Sequence, residues 1–227
     1  MSLILNIDTA GSKASIALGV DGEPIAEAYN SEQRDHASWI HEAISQLLHA
    51  NQFKSGDLSA IAVTIGPGSY TGLRVGLATA KGFCYALNIP LITENTLRVM
   101  AFQAITHSSR SKNPNFEFFI PMIDARRMEV FTAVYDQQLN EIVHPQAMIL
   151  DTDSYEDYLT NKSLFFGNGS IKFRDMLTSG NATFDQLEAT AADLGRLAYD
   201  KFLKKSFSDI VYSDPLYLKE FYSPHKK

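Results

Sequence analysis

A disulfide framework and a cysteine-built zinc site are both excluded, because the chain has a single cysteine, Cys84. No stretch approaches the roughly 18 uninterrupted apolar residues that a membrane-spanning helix needs, so no membrane association is expected. The opening residues, Met1-Ser2-Leu3-Ile4-Leu5, have no basic flank and run straight into a strand pattern. A secretion signal is therefore not expected, and the expected location is cytoplasmic. Positive charge is in deficit, with 20 Lys and Arg against 26 Asp and Glu and a formal net charge of −6. The basic residues are also scattered. That balance argues against autonomous nucleic-acid binding and leaves RNA contact only indirect, through a complex. What the chain does have is 45% hydrophobic content over 227 residues, enough for the core of one large domain or two small lobes.

The apolar pattern is organised twice. Residues 3–9, 14–20 and 24–29 read as strands, the last two joined at Asp21-Gly22, a strong hairpin signal. Ala37, Ile40, Ile44, Leu47 and Leu48 then fall at helical spacing, so residues 36–50 form an amphipathic helix. A strand over 60–65, a helix over 71–87, a short strand over 89–92 and a helix over 96–105 complete the first half. Strands over 116–124, 129–135 and 142–150 begin a second series. A strand over 164–166, a turn at Gly167-Asn168-Gly169 and a helix over 189–204 follow. Each series opens with a strand ending in aspartate, Ile7-Asp8-Thr9-Ala10 in one and Ile123-Asp124-Ala125-Arg126 in the other. The expected organisation is an N-terminal lobe of residues 1–107, a C-terminal lobe of 108–212, and a docked tail of 213–227, with a cleft between the lobes.

The densest signal is Ile65-Gly66-Pro67-Gly68-Ser69-Tyr70-Thr71-Gly72-Leu73-Arg74-Val75-Gly76. Gly66, Pro67 and Gly68 make a tight strand-to-helix turn, since glycine tolerates positive φ and proline fixes it. Backbone N–H groups at such a turn can face an anion or a partner. The run is not a Walker A loop, because Leu73 stands where lysine is required. It is not a nucleophile elbow either, because Pro67 stands two residues before Ser69.

This run, with Ile7-Asp8-Thr9-Ala10, Ala80-Lys81-Gly82, Ile89-Pro90-Leu91, Ile123-Asp124-Ala125-Arg126 and Pro215-Leu216-Tyr217-Leu218-Lys219, resembles the TsaB (YeaZ) family. The closing motif carries Lys219 where that family has arginine. The resemblance implies an α/β fold of two tandem ribonuclease H-like, actin-like ATPase lobes, each a mixed sheet with flanking helices. It implies a non-catalytic subunit that pairs with a TsaD-like catalytic subunit and a TsaE-like ATPase. Together they transfer a threonylcarbamoyl group to the adenosine beside the tRNA anticodon.

The residues support a silent role in their own way. His36 and His41 lie five apart, about 140° around a helix, so they cannot chelate one ion together, and no metal is expected. Asp8, Thr9 and Ser12 keep one phosphate-type hairpin, and Asp124, Gly167 and Gly169 belong to the second half of the same cleft. Arg126 and Arg127, however, put bulk where a phosphate wants glycine. This vestigial site leaves room for weak ATP or ADP binding, with no cofactor required. Gly72, Gly76, Ala80 and Cys84 recur every fourth residue and make a smooth stripe open to another helix. Trp39, Ile40 and Arg74 are added as interface candidates, tryptophan and arginine being common hot-spot residues. Self-association as a homodimer is expected when the partner is missing. The rival readings are an ATP-dependent phosphotransferase using Asp8 and Asp124 and, more remotely, a metallopeptidase.

Overall fold

The strand β1 (Leu3–Asp8) is buried at every position, so both of its faces must be covered. It lies between β2 (Ala14–Val20), which is antiparallel to it, and β4 (Ala60–Thr64), which is parallel. Leu3, Leu5 and Ile7 point into a core shared with Ile40, Ile44 and Leu77. Those three residues come from two helices, α1 (His36–Ala50) and α2 (Tyr70–Leu87). Ile4 points to the other face, against Leu194, Leu197 and Ala198 of a distant helix, α5 (Ala191–Leu203). In β4, Ile61 and Val63 join the first core, while the small Ala60 and Ala62 let α5 come close. The strand period of two thus assigns each residue to one of two helical layers. The structure, a computed structural model, describes residues 1–32, 36–109, 115–177 and 180–219.

The first sheet is completed by β3 (Glu23–Asn30) and β5 (Leu91–Glu94), in the order β3-β2-β1-β4-β5. Asp21 and Gly22, at φ 49° and 88°, make the expected hairpin turn. After α3 (Thr96–Ser109) the plan repeats with β6 (Phe118–Asp124), β7 (Glu129–Tyr135), β8 (Glu141–Ile149), β9 (Ser163–Phe166), α4 (Ser170–Arg174) and β10 (Ala182–Asp185). The second sheet runs β8-β7-β6-β9-β10, the same order read from its other edge. Two mixed five-stranded sheets with flanking helices therefore match the fold class that the sequence implies.

The last helix of each half crosses to the other half. In α3, Leu97, Met100, Ala101 and Ala104 pack with Phe119 and Tyr135 of the second sheet. In turn, α5 lies across β1, β2, β3 and β4 of the first sheet and also touches α3. The second sheet keeps a core of its own around Ile120, Val134, Phe165 and Phe173, while the last helix of the 108–212 segment covers the first sheet. Just past the expected boundary between 107 and 108, residues 110–114 lie outside the described residues. The elements β10 and α4 are absent from the sequence reading, since four or five residues carry no usable period.

The tail returns to the glycine-rich turn. Leu216 N donates to the Ile65 carbonyl at 2.7 Å, and a Cβ on Gly66 (φ 114°) would come within 2.7 Å of the Leu216 carbonyl oxygen. Residues 220–227 of the expected tail lie outside the described residues.

Candidate functional site

The turn of Gly66, Pro67 and Gly68 is pinned beneath the first hairpin. Ser69 N donates to the Ala10 carbonyl at 2.7 Å, and a Cβ on Gly68 would approach that same oxygen to 2.4 Å. Ser69 then caps α2, its Oγ accepting from Gly72 N at 3.3 Å.

From there α2 runs close under Thr9. A Cβ on Gly72 would sit 2.1 Å from the Thr9 carbonyl oxygen, and one on Gly76 would sit 2.3 Å from Thr9 Oγ1. Thr9 Oγ1 donates to the Gly72 carbonyl at 2.7 Å. Ala80 and Cys84 continue the stripe, fully buried in the first core. Burial pushes the Cys84 thiol up to about 11. The stripe therefore faces the chain's own hairpin and sheet. This corrects the expectation that Gly72, Gly76 and Ala80 present a partner surface. Ile40 is likewise fully buried in the core, and Trp39 is half-buried against it. Arg74 is exposed but engaged: its guanidinium lies 4.1 Å from the Tyr70 ring centroid, and Nε donates to Tyr217 Oη at 2.9 Å. It thereby fastens the tail.

The outward side of the helix pair is different. An open apolar groove of about 460 Å³ runs between α1 and α2, lined by Ala37, Val75, Ala78, Gly82, Phe83 and Ala86. A Cβ added to Gly82 would meet nothing within 4 Å. The sequence carries the signal for this face, since Ala78, Gly82 and Ala86 also recur every fourth residue. This second stripe is two residues, about 200°, around the helix from the first.

The cleft between the halves holds a cavity of about 180 Å³ with Asp8, Ser12 and Gly167 in its wall. Small-molecule sites usually offer roughly 300–1,000 Å³, so the space is short for a nucleotide. Asp8 Oδ1 accepts from Thr64 Oγ1 at 2.7 Å and from Ala10 N at 3.0 Å. Burial pushes its carboxyl above the ordinary carboxylate range, against those two hydrogen bonds and with added repulsion from Asp193. Thr9, Asp124 and Gly169 do not line the cavity. Thr9 holds α2, as described above. Gly167 (φ 92°) and Gly169 pack on the strands beneath: a Cβ would come 2.5 Å from the Met122 carbonyl oxygen and 2.9 Å from Val130 Cγ1, respectively.

Asp124 is the counterpart of Asp8 at the end of β6, and it is exposed. Its Oδ1 pairs with Lys172 Nζ at 2.7 Å and accepts from Arg126 N at 2.6 Å. Partial burial pushes this carboxyl up, but Lys172 and the Arg126 amide outweigh it and hold it below the usual range. The neighbouring Arg126 and Arg127 sit at φ 69° and 50°, a left-handed conformation that costs an L-residue about 1–2 kcal/mol. Among the described residues, no group of three or more His, Cys, Asp and Glu side chains converges as a metal site.

The two strand-to-helix turns also match at three of four positions. Gly66-Pro67-Gly68-Ser69 and Gly167-Asn168-Gly169-Ser170 each begin with a glycine at positive φ after the fourth strand of its half. That repeat is a sequence signal for the duplication that the opening strands alone did not exhaust.

Two duplicated halves around a narrow cleft define an α/β protein of the actin-like class. Over residues 25–215 the chain matches the family model described as TsaD: tRNA N6-adenosine threonylcarbamoyltransferase. It is 33% identical over 180 residues to the tRNA threonylcarbamoyladenosine biosynthesis protein TsaB of Bacillus subtilis, covering 77% of this chain and 74% of that one. It is 27% identical over 224 residues to the Escherichia coli protein of the same description, covering 95% and 94%. The solved structure of YeaZ from Pseudomonas aeruginosa superposes with a TM-score of 0.80 at 25% identity, covering 96% of this chain and 100% of that one. The chain belongs to the TsaB (YeaZ) family.

Proposed function

We infer that the chain is a non-catalytic subunit in tRNA threonylcarbamoyladenosine synthesis. It docks on a TsaD-like catalytic subunit through the outward α1–α2 groove and works with a TsaE-like ATPase in the cytoplasm. The observation that carries the reading is the groove itself, where Ala78, Gly82 and Ala86 leave room for a partner helix and Val75 and Phe83 supply apolar contact. Without a partner, the same groove favours a homodimer. The names of the relatives supply the pathway. Family membership and the absence of any helix long and apolar enough to cross a membrane among the described residues agree with it.

The state of the cleft supports silence. A catalytic carboxylate for phosphoryl chemistry must be charged and open to a metal, yet Asp8 is buried with its charge disfavoured. Asp124 is already neutralised by Lys172. No nucleotide is required of this chain, and any ATP or ADP would be held weakly in so small a space.

The test is reconstitution with the cognate TsaD-like and TsaE-like proteins, threonylcarbamoyl-adenylate and tRNA. Modification is expected to depend on the chain and to survive Asp8→Asn. Magnesium-dependent ATP turnover by the pure chain, abolished by Asp8→Asn, would replace this reading with that of a phosphotransferase.

A further inference from the structure

A larger cleft lies away from both the groove and the inter-lobe cavity. It has a volume of about 900 Å³ and opens between the glycine-rich turn, the β6–β7 hairpin tip and the tail. Arg126, Arg127 and Lys219 line it, against one carboxylate, Glu129, which Lys219 pairs with. Among the described residues, neither arginine guanidinium has a hydrogen-bond or ion-pair partner. On a chain of net charge −6 this gathers cations from distant segments.

The two arginines also occupy an unfavourable conformation. Arg126 and Arg127 sit at φ 69° and 50° in a three-residue loop, next to the bond from Ala125 N to the Glu129 carbonyl, and left-handed backbone of this kind favours glycine and asparagine. Backbone strain kept at a loop tip points to use of the side chains. Beside them, Tyr70 and Tyr217 pair at 5.2 Å between ring centroids, each 42% exposed, with Arg74 stacked on Tyr70. Exposed rings beside unpaired guanidiniums are what an unstacked base and its flanking phosphates require.

We propose that this cleft binds an unpaired stretch of RNA, with Arg126 and Arg127 on the phosphates and Tyr70 and Tyr217 stacking a base. The inference rests on the reading that the chain serves a tRNA-modifying complex, and it replaces purely indirect RNA contact with a direct one.

The test uses the whole chain and a fluorescently labelled anticodon stem-loop at low salt, beside a blunt RNA duplex with the same number of phosphates. The double variant Arg126→Asn/Arg127→Gly removes both cations and puts residues that tolerate left-handed backbone at both positions, so it is expected to melt no lower than the parent. It should weaken stem-loop binding tenfold or more. The slope of log affinity against log salt should fall by about 1.4, at roughly 0.7 per single-strand phosphate contact. Tyr70→Leu should cost about fivefold on the stem-loop and leave the duplex unchanged. A variant titration that superimposes on the parent's, or a parent that binds duplex as well as loop, overturns the proposal. In the complex with the TsaD-like subunit, the double variant should lose tRNA affinity while the heterodimer stays intact. Failure of the heterodimer would sink the proposed function, while the free-chain titration would still decide this proposal.

Discussion

The two aspartate-ended hairpins occupy equivalent places in equivalent sheets, yet they are held by opposite means. The first is packed: Thr9 sits on Gly72 and Gly76 of an 18-residue helix, and Asp8 is buried beside Thr64. The second is wired by charge: α4 has only five residues, and its Lys172 reaches out to an exposed Asp124. The lesson is that a duplicated topology conserves where a turn lies without conserving what holds it. The packed half sets its helix pair firmly enough to offer a groove, while the charge-held half leaves its tip projecting into open solvent.

The largest effect should come from breaking the packed hairpin. Gly76→Trp drives a ring into Thr9 Oγ1, which a Cβ alone would approach to 2.3 Å. About 3 kcal/mol or more should be lost, seen as a fall of roughly 6–12 °C in melting temperature. Breaking the charge-held hairpin with Lys172→Met should cost no more than about 1 kcal/mol, or roughly 2–4 °C, because Asp124 is well solvated.

The pH dependence sharpens the contrast, because the two carboxyls shift in opposite directions. The folded-state pKa of Asp8 is raised, so the folded state holds its proton more tightly than the unfolded state. Its contribution is most favourable below the unfolded value, about 3.9, and is lost as pH rises through the folded value. Asp124 is lowered, so its contribution is present above the unfolded value and lost as pH falls through the folded one. In chemical denaturation from pH 3 to pH 8, Asp8→Asn should be at its most favourable, relative to the parent, at the upper end. Asp124→Asn should be at its most unfavourable there. Parallel curves for the two variants would contradict the assignment.

The smallest effect belongs to the tail. Arg74→Ala removes the stacking on Tyr70 and the bond to Tyr217, both at the exposed surface. It should be seen as faster limited proteolysis after residue 212 with little change in melting temperature.

The meander, α1 and α2 were legible because each carries a period or a turn signal long enough to read. The orientation of α2 was not. Gly72, Gly76 and Ala80 on one side, and Ala78, Gly82 and Ala86 on the other, obey the same spacing. Spacing alone does not reveal that the Thr9 carbonyl lies over the first set. The paired strand-end aspartates Asp8 and Asp124 were legible, but only Asp8 lines the cavity, and their opposite environments depend on Thr64 and Lys172, which lie 56 and 48 residues away. The cationic cleft was invisible for a similar reason: residues 70–74, 126–127 and 217–219 meet only in the fold, and a scattered charge count hides them.

The most direct measurement is a binding titration of the chain with its cognate TsaD-like subunit, comparing the parent with Gly82→Trp. A Cβ at Gly82 meets open space, so the variant should melt within about 2 °C of the parent. The account predicts a heterodimer for the parent and none for the variant. A Gly82→Trp chain that binds as tightly as the parent would contradict it.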